Sequence, residues 1–526
     1  MELKDFFGEN REIRDIITDL KRCKEPLRIP PWSELRKQYY TSEHRIKTDQ
    51  GFWKDRGTSK RPKRVARITY GAQKMYARRM TQYAFTIPVK RLYRYDKDKY
   101  IVNDVDTMQE VISALEAIYK AVHINSINSK RWKHFYAACE LLTIWYSVKC
   151  APHNKYGFET DRKLRCKSYS PMDGYDLYPI FDDFDDLIGF CIEYKKEEYV
   201  SNIKTQVTYF EVFSPDEHIV FKMGTNGSWE LHKREDIAIG KLPLAYEFRH
   251  EPIWEDQTSN TDEIELALSR ESEILRDNSA PLVKVSGQLK KSSDQSVSDS
   301  KGKSLAERTL MYENAEMKKE LSESDGRRFV KTENGGDVQY VTWNQSVEAM
   351  KFFIQELKKN SDEIVQLPNL SMENVKGLGA LSGEARQTLV IDAHLKVGEE
   401  QGDIILFLER EFAVISAYLA VLNPAFKERL AHLSCEHTVT AFTFKDEEGS
   451  INKWSRACGD KALLSRKTAI AKSGLVENPD EEYEAIQEEE NESLRRTAIG
   501  TLLNEEDDDE NGNEGEDGKK NKEDEE

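Results

Sequence analysis

The sequence predicts an α+β fold, in which helical and strand patterns occupy separate parts of the chain. Apolar residues recur at intervals of three and four over 107–123 and 131–149, the spacing of one helical face. Four short runs rich in β-branched and aromatic residues follow within 187–233. A small β segment, about 280–343, then separates two further helical patterns. This order of elements is unusual and narrows the choice of fold.

The first distinctive segment is basic. Residues 45–94 hold 15 Lys and Arg against two Asp, and residues 60–91 interleave Lys and Arg with Tyr, Phe and Met. One interpretation is a nucleic-acid-binding surface. The alternative is a helix whose arginine stems cover apolar neighbours and whose guanidinium groups pair with acids of another subunit. The sequence leaves both open.

The two helices that follow differ in their expected burial. Residues 107–123 present a single apolar face. Residues 131–149 carry a second apolar face at Leu141, Ile144 and Trp145, so we expect this helix to be buried on two sides.

The next region is predicted to be an antiparallel meander. Its strands have period-two patterns and are separated by the turn sequences SPD and TNG. The predicted strands are 187–195, 206–213, 217–223 and 228–233.

The second half of the chain alternates helices with a small β unit. A helix is predicted over 259–278, ending before Pro281, and another over 345–365, closed by Pro368. Between them lie a strand at 282–287, a polar segment at 288–327, and two strands around an Asn-Gly-Gly turn in 327–343.

The C-terminal third is mainly helical. A long helix is predicted from Ser382 to about residue 422, with Ser382 as its N-cap, and a strand over 438–446. Two more helices are expected in 465–474 and 478–498.

The net charge of −17 belongs to the C-terminus. Residues 477–526 hold 22 acidic and 5 basic residues, so the remainder of the chain is neutral. Residues 504–526 contain no apolar side chain that could offset the entropy of ordering, which predicts disorder.

Glycine-rich motifs do not indicate nucleotide binding. Gly377, Gly379 and Gly383 resemble a phosphate-binding loop, but the element before them is a helix and a dinucleotide loop requires a strand there. The GKS at 302–304 lacks the first glycine of a Walker A loop, because residue 297 is Val297.

Metal, catalytic and membrane sites are not predicted either. The acidic stretch 173–186 lacks calcium-loop spacing, and His432, Cys435 and His437 lack a matching Cys-x-x-Cys. No nucleophile–base set can be assembled, so we expect no enzyme activity, no cofactor and no bound metal. The most apolar stretch, 403–422, carries three charges at 409–411 and is predicted to be a buried helix.

The order of elements resembles one family, the portal proteins of tailed bacteriophages. The stretches that carry the resemblance follow the meander, the helix that enters the β unit, and the glycine loop with the long helix behind it. These are YPIFDDFDDLIGFCIEYKK, VTYFEVFSPDEHIVFKM, GKLPLAYEFRHEPIWED, TDEIELALSRESEILRDNSAPLVKVSG, LPNLSMENVKGLGALSGEARQ and ALLSRKTAIAKSGLVENPDEEYEAIQEE. Together they cover roughly residues 60–500.

The resemblance implies a division of the chain into portal regions. They are the N-terminal part of the wing (1–258), a stem helix (259–278), a clip (279–344), a second stem helix (345–365), a tunnel loop (366–381), the wing's long helix and strand (382–455), a helical crown (456–501) and a disordered acidic tail (502–526).

The resemblance also implies a function. Portal proteins form a ring, here expected to have 12 subunits, at one capsid vertex of the virion. Double-stranded DNA is packaged and ejected through the ring. The implied partners are further copies of the chain, terminase, head–tail adaptors and the major capsid protein, with no membrane involved. The protein is expected to be made in the host cytoplasm.

Channel residues are expected in the second stem helix and the tunnel loop. Lys351, Lys358 and Lys359 could face DNA or pair between neighbouring helices, and both alternatives are open. In the loop, Lys376 is the expected cationic contact beside Asn374, and Gly377 and Gly379 allow the loop to flex. A second function is compatible with the sequence: a nucleic-acid-binding head-completion or scaffold protein that is not a ring.

Overall fold

The structure is a computed structural model of the 526-residue chain. It describes residues 6–7, 11–58, 61–102, 105–200, 203–224, 226–278, 282–286, 337–341, 347–370, 387–443, 447–459, 462–476 and 478–508. These residues form a mixed fold of helices and antiparallel sheets, which confirms the predicted α+β class.

The α-helices are numbered in chain order. They are α1 (Ile13–Arg22), α2 (Trp32–Tyr39), α3 (Arg45–Thr48), α4 (Ala72–Phe85), α5 (Lys97–Tyr100), α6 (Met108–Val122), α7 (Ile124–Ala138), α8 (Thr258–Asn278), α9 (Val347–Val365), α10 (Ile391–Leu422), α11 (Lys427–Ala431), α12 (Glu447–Ala457), α13 (Arg466–Ser473) and α14 (Pro479–Asp508).

The strands form one five-stranded sheet, one three-stranded sheet and four two-stranded pairs among the described residues. They are β1 (Arg56–Thr58), β2 (Arg61–Lys63), β3 (Lys90–Arg94), β4 (Ile101–Val102), β5 (Val105–Asp106), β6 (Glu140–His153), β7 (Thr160–Tyr169), β8 (Tyr175–Phe181), β9 (Leu187–Val200), β10 (Ile203–Phe213), β11 (Glu217–Met223), β12 (Trp229–Asp236), β13 (Leu244–Phe248), β14 (Leu282–Ser286), β15 (Asp337–Val341) and β16 (Ser434–Thr438).

The five-stranded sheet confirms the predicted meander. Its strands pair in the order β12–β11–β10–β9–β8, all antiparallel, with β8 added ahead of the four predicted strands. Alternate side chains enter two different cores. Phe210 packs toward α1, whereas its near neighbour Phe213 packs toward β6 and β13. This is the period-two burial that the sequence predicted.

The main core surrounds the long helix α10. Its C-terminal half packs against α6 and against the three-stranded sheet β13–β6–β7. The indole of Trp132 on α7 stands edge-on to Phe407 of α10, with ring centroids 5.5 Å apart. Trp132 and Trp145 are both fully buried. The apolar stretch 403–422 is therefore part of a protein core, as predicted.

A buried ion pair crosses this core. Arg131 donates to both carboxylate oxygens of Glu411, at 2.6 and 2.8 Å, and the two side chains are 0% and 1% exposed. Trp145 Nε1 donates to Glu411 at 3.0 Å, and Arg131 also donates to Thr143 Oγ1 at 3.2 Å. This bidentate geometry provides the compensation that two desolvated charges require.

The predicted helix over 131–149 is wrong beyond residue 138. Helix α7 ends at Ala138, Cys139 has a φ of 61°, and β6 begins at Glu140. Residues 140–149 contain several β-branched and aromatic residues, which suit a strand paired on both sides. Here β6 pairs with both β7 and β13, so every residue from 140 to 145 is buried and no period-two alternation is visible.

The predicted strand over 438–446 is also wrong. Strand β16 covers Ser434–Thr438, where it pairs with β3, and residues 439–443 have no regular structure. The long helix begins at Ile391, later than the predicted start at residue 382. Helix α14 continues to Asp508, inside the range 502–526 that was predicted to be disordered. Residues 509–526 lie outside the described residues.

The described chain divides into two compact units. The first comprises 1–374 and 390–442, and the second comprises 375–389 and 443–526. In the second unit α13 begins at an N-cap, Ser465, whose Oγ accepts a hydrogen bond from the Thr468 amide at 3.2 Å. The predicted helices in 465–474 and 478–498 are thereby confirmed.

Removing one member of the buried pair is expected to cost more than removing both. Arg131→Met or Glu411→Met leaves the other group buried without its partner, which costs about 3–5 kcal/mol of unfolding free energy. The Arg131→Met/Glu411→Met double variant should recover part of that loss. Chemical denaturation of the four proteins measures the difference. A double variant that loses the sum of the two single effects would contradict this.

A second prediction concerns pH. Burial raises the pKa of Glu247 from 4.5 to about 7, although Arg410 lies 3.2 Å away and opposes the shift. Because the folded protein holds this proton more tightly than the unfolded chain does, stability should fall as pH rises from 4.5 to 7. Glu247→Gln should therefore raise the free energy of unfolding at pH 8, by about 2–3 kcal/mol, with little effect at pH 4.5. Thermal denaturation at both pH values tests this, with Glu251→Gln, an exposed site, as the control.

Candidate functional site

The two predicted stem helices lie side by side. Helix α8 contacts α9, and the strands that continue from them, β14 and β15, pair antiparallel from Leu282↔Val341 to Ser286↔Asp337. The predicted helices at 259–278 and 345–365 and the strand at 282–287 are confirmed within one or two residues. The polar segment 288–327 and the predicted Asn-Gly-Gly turn lie outside the described residues.

Tyr70 shows the relative direction of the two helices. Its amide donates to Glu265, near the start of α8, at 2.7 Å. Its ring lies 5.2 Å from Nζ of Lys358, in the second half of α9. The beginning of α8 therefore stands beside the end of α9, and the pair is antiparallel.

A row of buried polar side chains on α8 binds an extended segment of the N-terminal region, residues 64–70, which we call the strap. The row consists of Glu265, Ser269 and Glu273, which are 0% exposed and stand four residues apart on one face of the helix. Glu265, Ser269 and Glu273 accept hydrogen bonds from the amides of Tyr70, Ile68 and Ala66 at 2.7, 2.9 and 2.6 Å.

The spacing of the strap matches that of the helix. Four residues of helix rise about 6 Å, and two residues of extended chain span about 6.6 Å. Alternate amides of the strap therefore face successive turns of α8. Each buried amide gains an acceptor that a neighbouring strand would otherwise supply, which explains why a segment outside any sheet can be extended here.

Both glutamates of this row have a second donor. His44 Nδ1 lies 2.6 Å from the Glu265 carboxylate, and His44 is itself buried. Glu273 pairs with Arg276 one turn later, at 2.5 Å. The two carboxylates are thus fixed by groups at both sides, so they hold the strap in one register.

Helix α4 fixes the end of α9. Asp362 accepts from Arg79 Nη1 at 2.6 Å and from the Tyr76 hydroxyl at 3.1 Å. The same Arg79 nitrogen donates to the Leu367 carbonyl at 3.0 Å, and the Tyr83 hydroxyl donates to the Pro368 carbonyl at 3.1 Å. Burial raises the pKa of Tyr83 to about 12, so its phenol remains a donor. Two consecutive carbonyl groups at the start of the predicted tunnel loop therefore accept hydrogen bonds from side chains of α4.

The basic stretch 45–94 is partly a structural element. Helix α4 is largely buried, Arg67 pairs with Asp55 at 2.9 Å, and Arg91 lies 3.8 Å from the Tyr119 ring centroid. The acidic partners of Arg67 and Arg79 belong to the same chain, not to another subunit as one interpretation expected. Lys74 and Arg78 are exposed on the outer side of α4.

The three candidate lysines of α9 differ in their surroundings. Lys351 is exposed, and Lys359 forms a one-turn pair with Glu363 at 3.6 Å in which both side chains are about two-thirds exposed. Lys358 is half-buried against Tyr70. Lys351 and Lys359 thus remain available to a ligand, whereas Lys358 is used in packing the strap.

The remaining predicted site residues lie outside the described residues. They are Asn374, Lys376, Gly377, Gly379 and Ser382. Val390 occupies the position before the first residue of α10. The proposed roles of the loop residues and of Ser382 as a cap remain predictions.

The metal candidates have other partners. Cys435 and His437 lie on β16, 3.8 Å apart and buried, and burial together with Arg91 lowers the pKa of His437 to about 4. His432 instead lies 3.3 Å from Lys99. In the part of the chain that the structure describes, no cluster of three or more His, Cys, Asp or Glu could hold a metal ion.

The acidic stretch 173–186 contains β8, followed by a tight turn. In this turn Asp182 Oδ1 accepts hydrogen bonds from the amides of Phe184 and Asp186 at 2.8 and 2.9 Å. Among the described helices, none is long and apolar enough to cross a membrane.

Comparison with known proteins decides the family. The family described as "Phage portal protein, SPP1 Gp6-like" matches residues 31–495, most of the chain. The chain belongs to the phage portal protein family. This confirms the predicted resemblance, the portal fold and a place in the virion at the capsid portal vertex. Portal proteins are structural proteins of the virion. No curated protein sequence matches the chain significantly.

Solved structures similar to this portal protein come from gene transfer agent particles. A chain of "Virion of native gene transfer agent (GTA) particle" has 12% identity and a TM-score of 0.35, covering 85% of this chain and 93% of that one. A chain of "Neck of empty GTA particle computed with C6 symmetry" has 13% identity and a TM-score of 0.35, and the match covers 76% of this chain and 89% of that one. A chain of "Neck of native GTA particle computed with C12 symmetry" has 13% identity and a TM-score of 0.35, and the match covers 77% of this chain and 91% of that one.

Sequence reasoning missed the strap. The signal was present: Glu265, Ser269 and Glu273 recur every four residues along one side of the helix. Polar groups at that spacing on a buried face require partners. The partner segment is some 200 residues earlier in the chain, where its period-two pattern was obscured by arginines.

The strap predicts a graded loss of stability. Ser269→Ala removes one acceptor and should lower the free energy of unfolding by about 1 kcal/mol. Glu265→Ala leaves two donors without an acceptor and should lower it by about 2–3 kcal/mol. Amide hydrogen exchange at residues 66, 68 and 70 should accelerate about tenfold for each 1.4 kcal/mol lost. Glu263→Ala, exposed on the same helix, is the control. Equal exchange in the Glu265 and Glu263 variants would show that the strap is held by other contacts.

Proposed function

We propose that this portal protein assembles as a ring at one capsid vertex and forms the channel through which double-stranded DNA is packaged and ejected. Family membership over residues 31–495 is the observation that carries the proposal. In this proposal α8 and α9 are the stem helices, the β14–β15 pair belongs to the clip (279–344), and the clip docks terminase and then head–tail adaptors.

The helix pair supports a channel-lining role. Helices of 21 and 19 residues are each about 30 Å long, and the strap and Asp362 fix them to the rest of the first unit. Twelve such pairs around an axis would make a continuous wall. Closure requires that each copy contact the next through two different surfaces.

The charges on α9 suit passage more than tight binding. Its exposed positions alternate Lys351 and Lys359 with Glu356 and Glu363. Proteins bind DNA of any sequence mainly through Lys and Arg contacts to phosphate, and their affinity falls with each such positive charge that is neutralised. A wall of mixed sign allows DNA of any sequence to slide without strong retention.

The tunnel loop (366–381) is proposed to carry the closest contact with DNA. Its first residues are bound to α4 through the Leu367 and Pro368 carbonyls, so the loop starts from a rigid base. Lys376 would provide the positive charge beside Asn374, and Gly377 and Gly379 the freedom to follow a moving duplex. In this role the protein needs neither a catalytic residue nor a cofactor.

Electron microscopy of the purified full-length protein tests the proposal. Rings of about 12 subunits with a central hole would support it. Monomers or small oligomers, both alone and with capsid protein present, would instead favour a head-completion or scaffold protein that is not a ring.

Loop variants test the channel contact. Lys376→Glu and the Gly377→Ala/Gly379→Ala pair should form rings normally but reduce packaged DNA at least severalfold, because charge repulsion or stiffening would oppose DNA movement. Packaged DNA per particle is measured by nuclease protection. Lys358→Gln, at a residue used in packing, is the comparison for an effect on the fold. Normal packaging by both loop variants would exclude the loop from this role.

A further inference from the structure

The outer face of the N-terminal half of α10 is apolar and exposed. Ile391, Leu395 and Leu406 are 54%, 63% and 42% exposed. With Gly398 and Gly402 they follow one another at intervals of three and four residues, so they share one stripe along the helix. We call these five residues the α10 stripe.

The two glycines make this stripe an open groove. Glycine in a helix interior is unfavourable relative to alanine. At Gly398 and Gly402 no described atom lies within 4 Å of the position that a Cβ would take. Packing within the described chain therefore does not require glycine at either position, although a close approach from outside the chain would.

One side of the α10 stripe is acidic. Asp392, Glu399 and Asp403 are exposed and recur at intervals of seven and four residues, which places them along the same edge. Lys396 pairs with Glu399 at 2.7 Å and is the only Lys or Arg in the segment 391–406. A partner for this surface should be apolar at its centre and basic at its border.

The chain carries such a surface at the other end of α10. On the β6–β7 hairpin, Val148 is 39% exposed and pairs with Lys163, and Arg165 follows Lys163 on the same face of the hairpin. No ion pair involves Lys163 or Arg165 within the described residues. We call Val148, Lys163 and Arg165 the hairpin patch. In the same hairpin, the ring of Phe158 packs edge-on against that of Phe426, just beyond the end of α10. The two ring centroids are 5.6 Å apart.

We infer that the α10 stripe of one copy binds the hairpin patch of the next copy in the ring. Opposite charge and an apolar centre on each surface favour this pairing. On one chain the hairpin strand contacts α10 at Glu411 and Tyr418, through Trp145. These positions lie C-terminal to the last residue of the stripe, so the two surfaces are separate. Two different surfaces on each copy make a head-to-tail contact, the kind that closes rings. This inference rests on the proposed ring and names the surfaces that build it.

Reciprocal charge reversal tests the pairing. Asp392→Lys/Glu399→Lys/Asp403→Lys should reduce the yield of rings about tenfold or more at low salt, and so should Lys163→Glu/Arg165→Glu. With all five substitutions on one chain, each contact again joins opposite charges and ring yield should recover. Glu12→Lys/Asp15→Lys/Glu34→Lys changes the net charge as much as the first variant at exposed sites elsewhere. Ring yield is counted by electron microscopy and checked by light scattering.

Glycine substitutions test the groove independently of charge. Gly402→Ala should preserve the unfolding temperature of the subunit, because nothing in the described chain meets the new methyl group. Gly398→Leu/Gly402→Leu should also fold, yet form few rings, because the side chains fill the space that the neighbour occupies.

The outcomes separate failure of the proposed contact from failure of the proposed ring. Rings at full yield from either charge-reversed variant, or no recovery in the variant that combines them, would overturn the pairing while the proposed function stands. A subunit unfolded by the leucine pair would show that the stripe is covered within its own chain, which also overturns it. If the unaltered protein forms no ring under any condition, both proposals fail.

Discussion

The buried row of acceptors on α8 is the interaction on which the rest of the candidate site depends. A helix that offers Glu265, Ser269 and Glu273 to water-free surroundings is stable only if donors meet all three. The strap supplies them from its backbone. Because Tyr70 also packs on Lys358 of α9, the same segment sets the position of the second helix. Two helices that are distant in sequence thus acquire a fixed relation.

The central core uses charge in a different way. Arg131 and Glu411 join α7 to α10 in a region of tryptophan and phenylalanine side chains. A bidentate pair in such surroundings tolerates little change of geometry, so it specifies how α10 lies against the β-sheet. The long helix is in this way aligned at its centre, while its N-terminal half presents an outer face to solvent.

Local periodicity predicted most of the elements, because those depend on neighbours in sequence. The family was predicted from a resemblance carried by short stretches of sequence. In the meander and in helices α8 and α9, the apolar pattern fits only one type of element. The helix over 131–149 was wrong since Leu141, Ile144 and Trp145 sit in a strand with partners on both sides, and such a strand loses the alternation that marks it. The roles of Asp362 and Glu265 were not predicted. They depend on Arg79 and His44, which are hundreds of residues away in the sequence and leave no local signal.

Arg79 has a mechanical consequence. One guanidinium nitrogen binds both the Asp362 carboxylate and the Leu367 carbonyl, across the residue where Gln366 turns the chain with a φ of 56°. A pull on the segment that follows would load α4 before it could unwind α9. The strap's bonds, by contrast, are spread along α8. A force along the helix axis would shear all three together, whereas a force at one end would peel them singly. The pair of helices α8 and α9 should therefore resist axial traction far better than lateral opening.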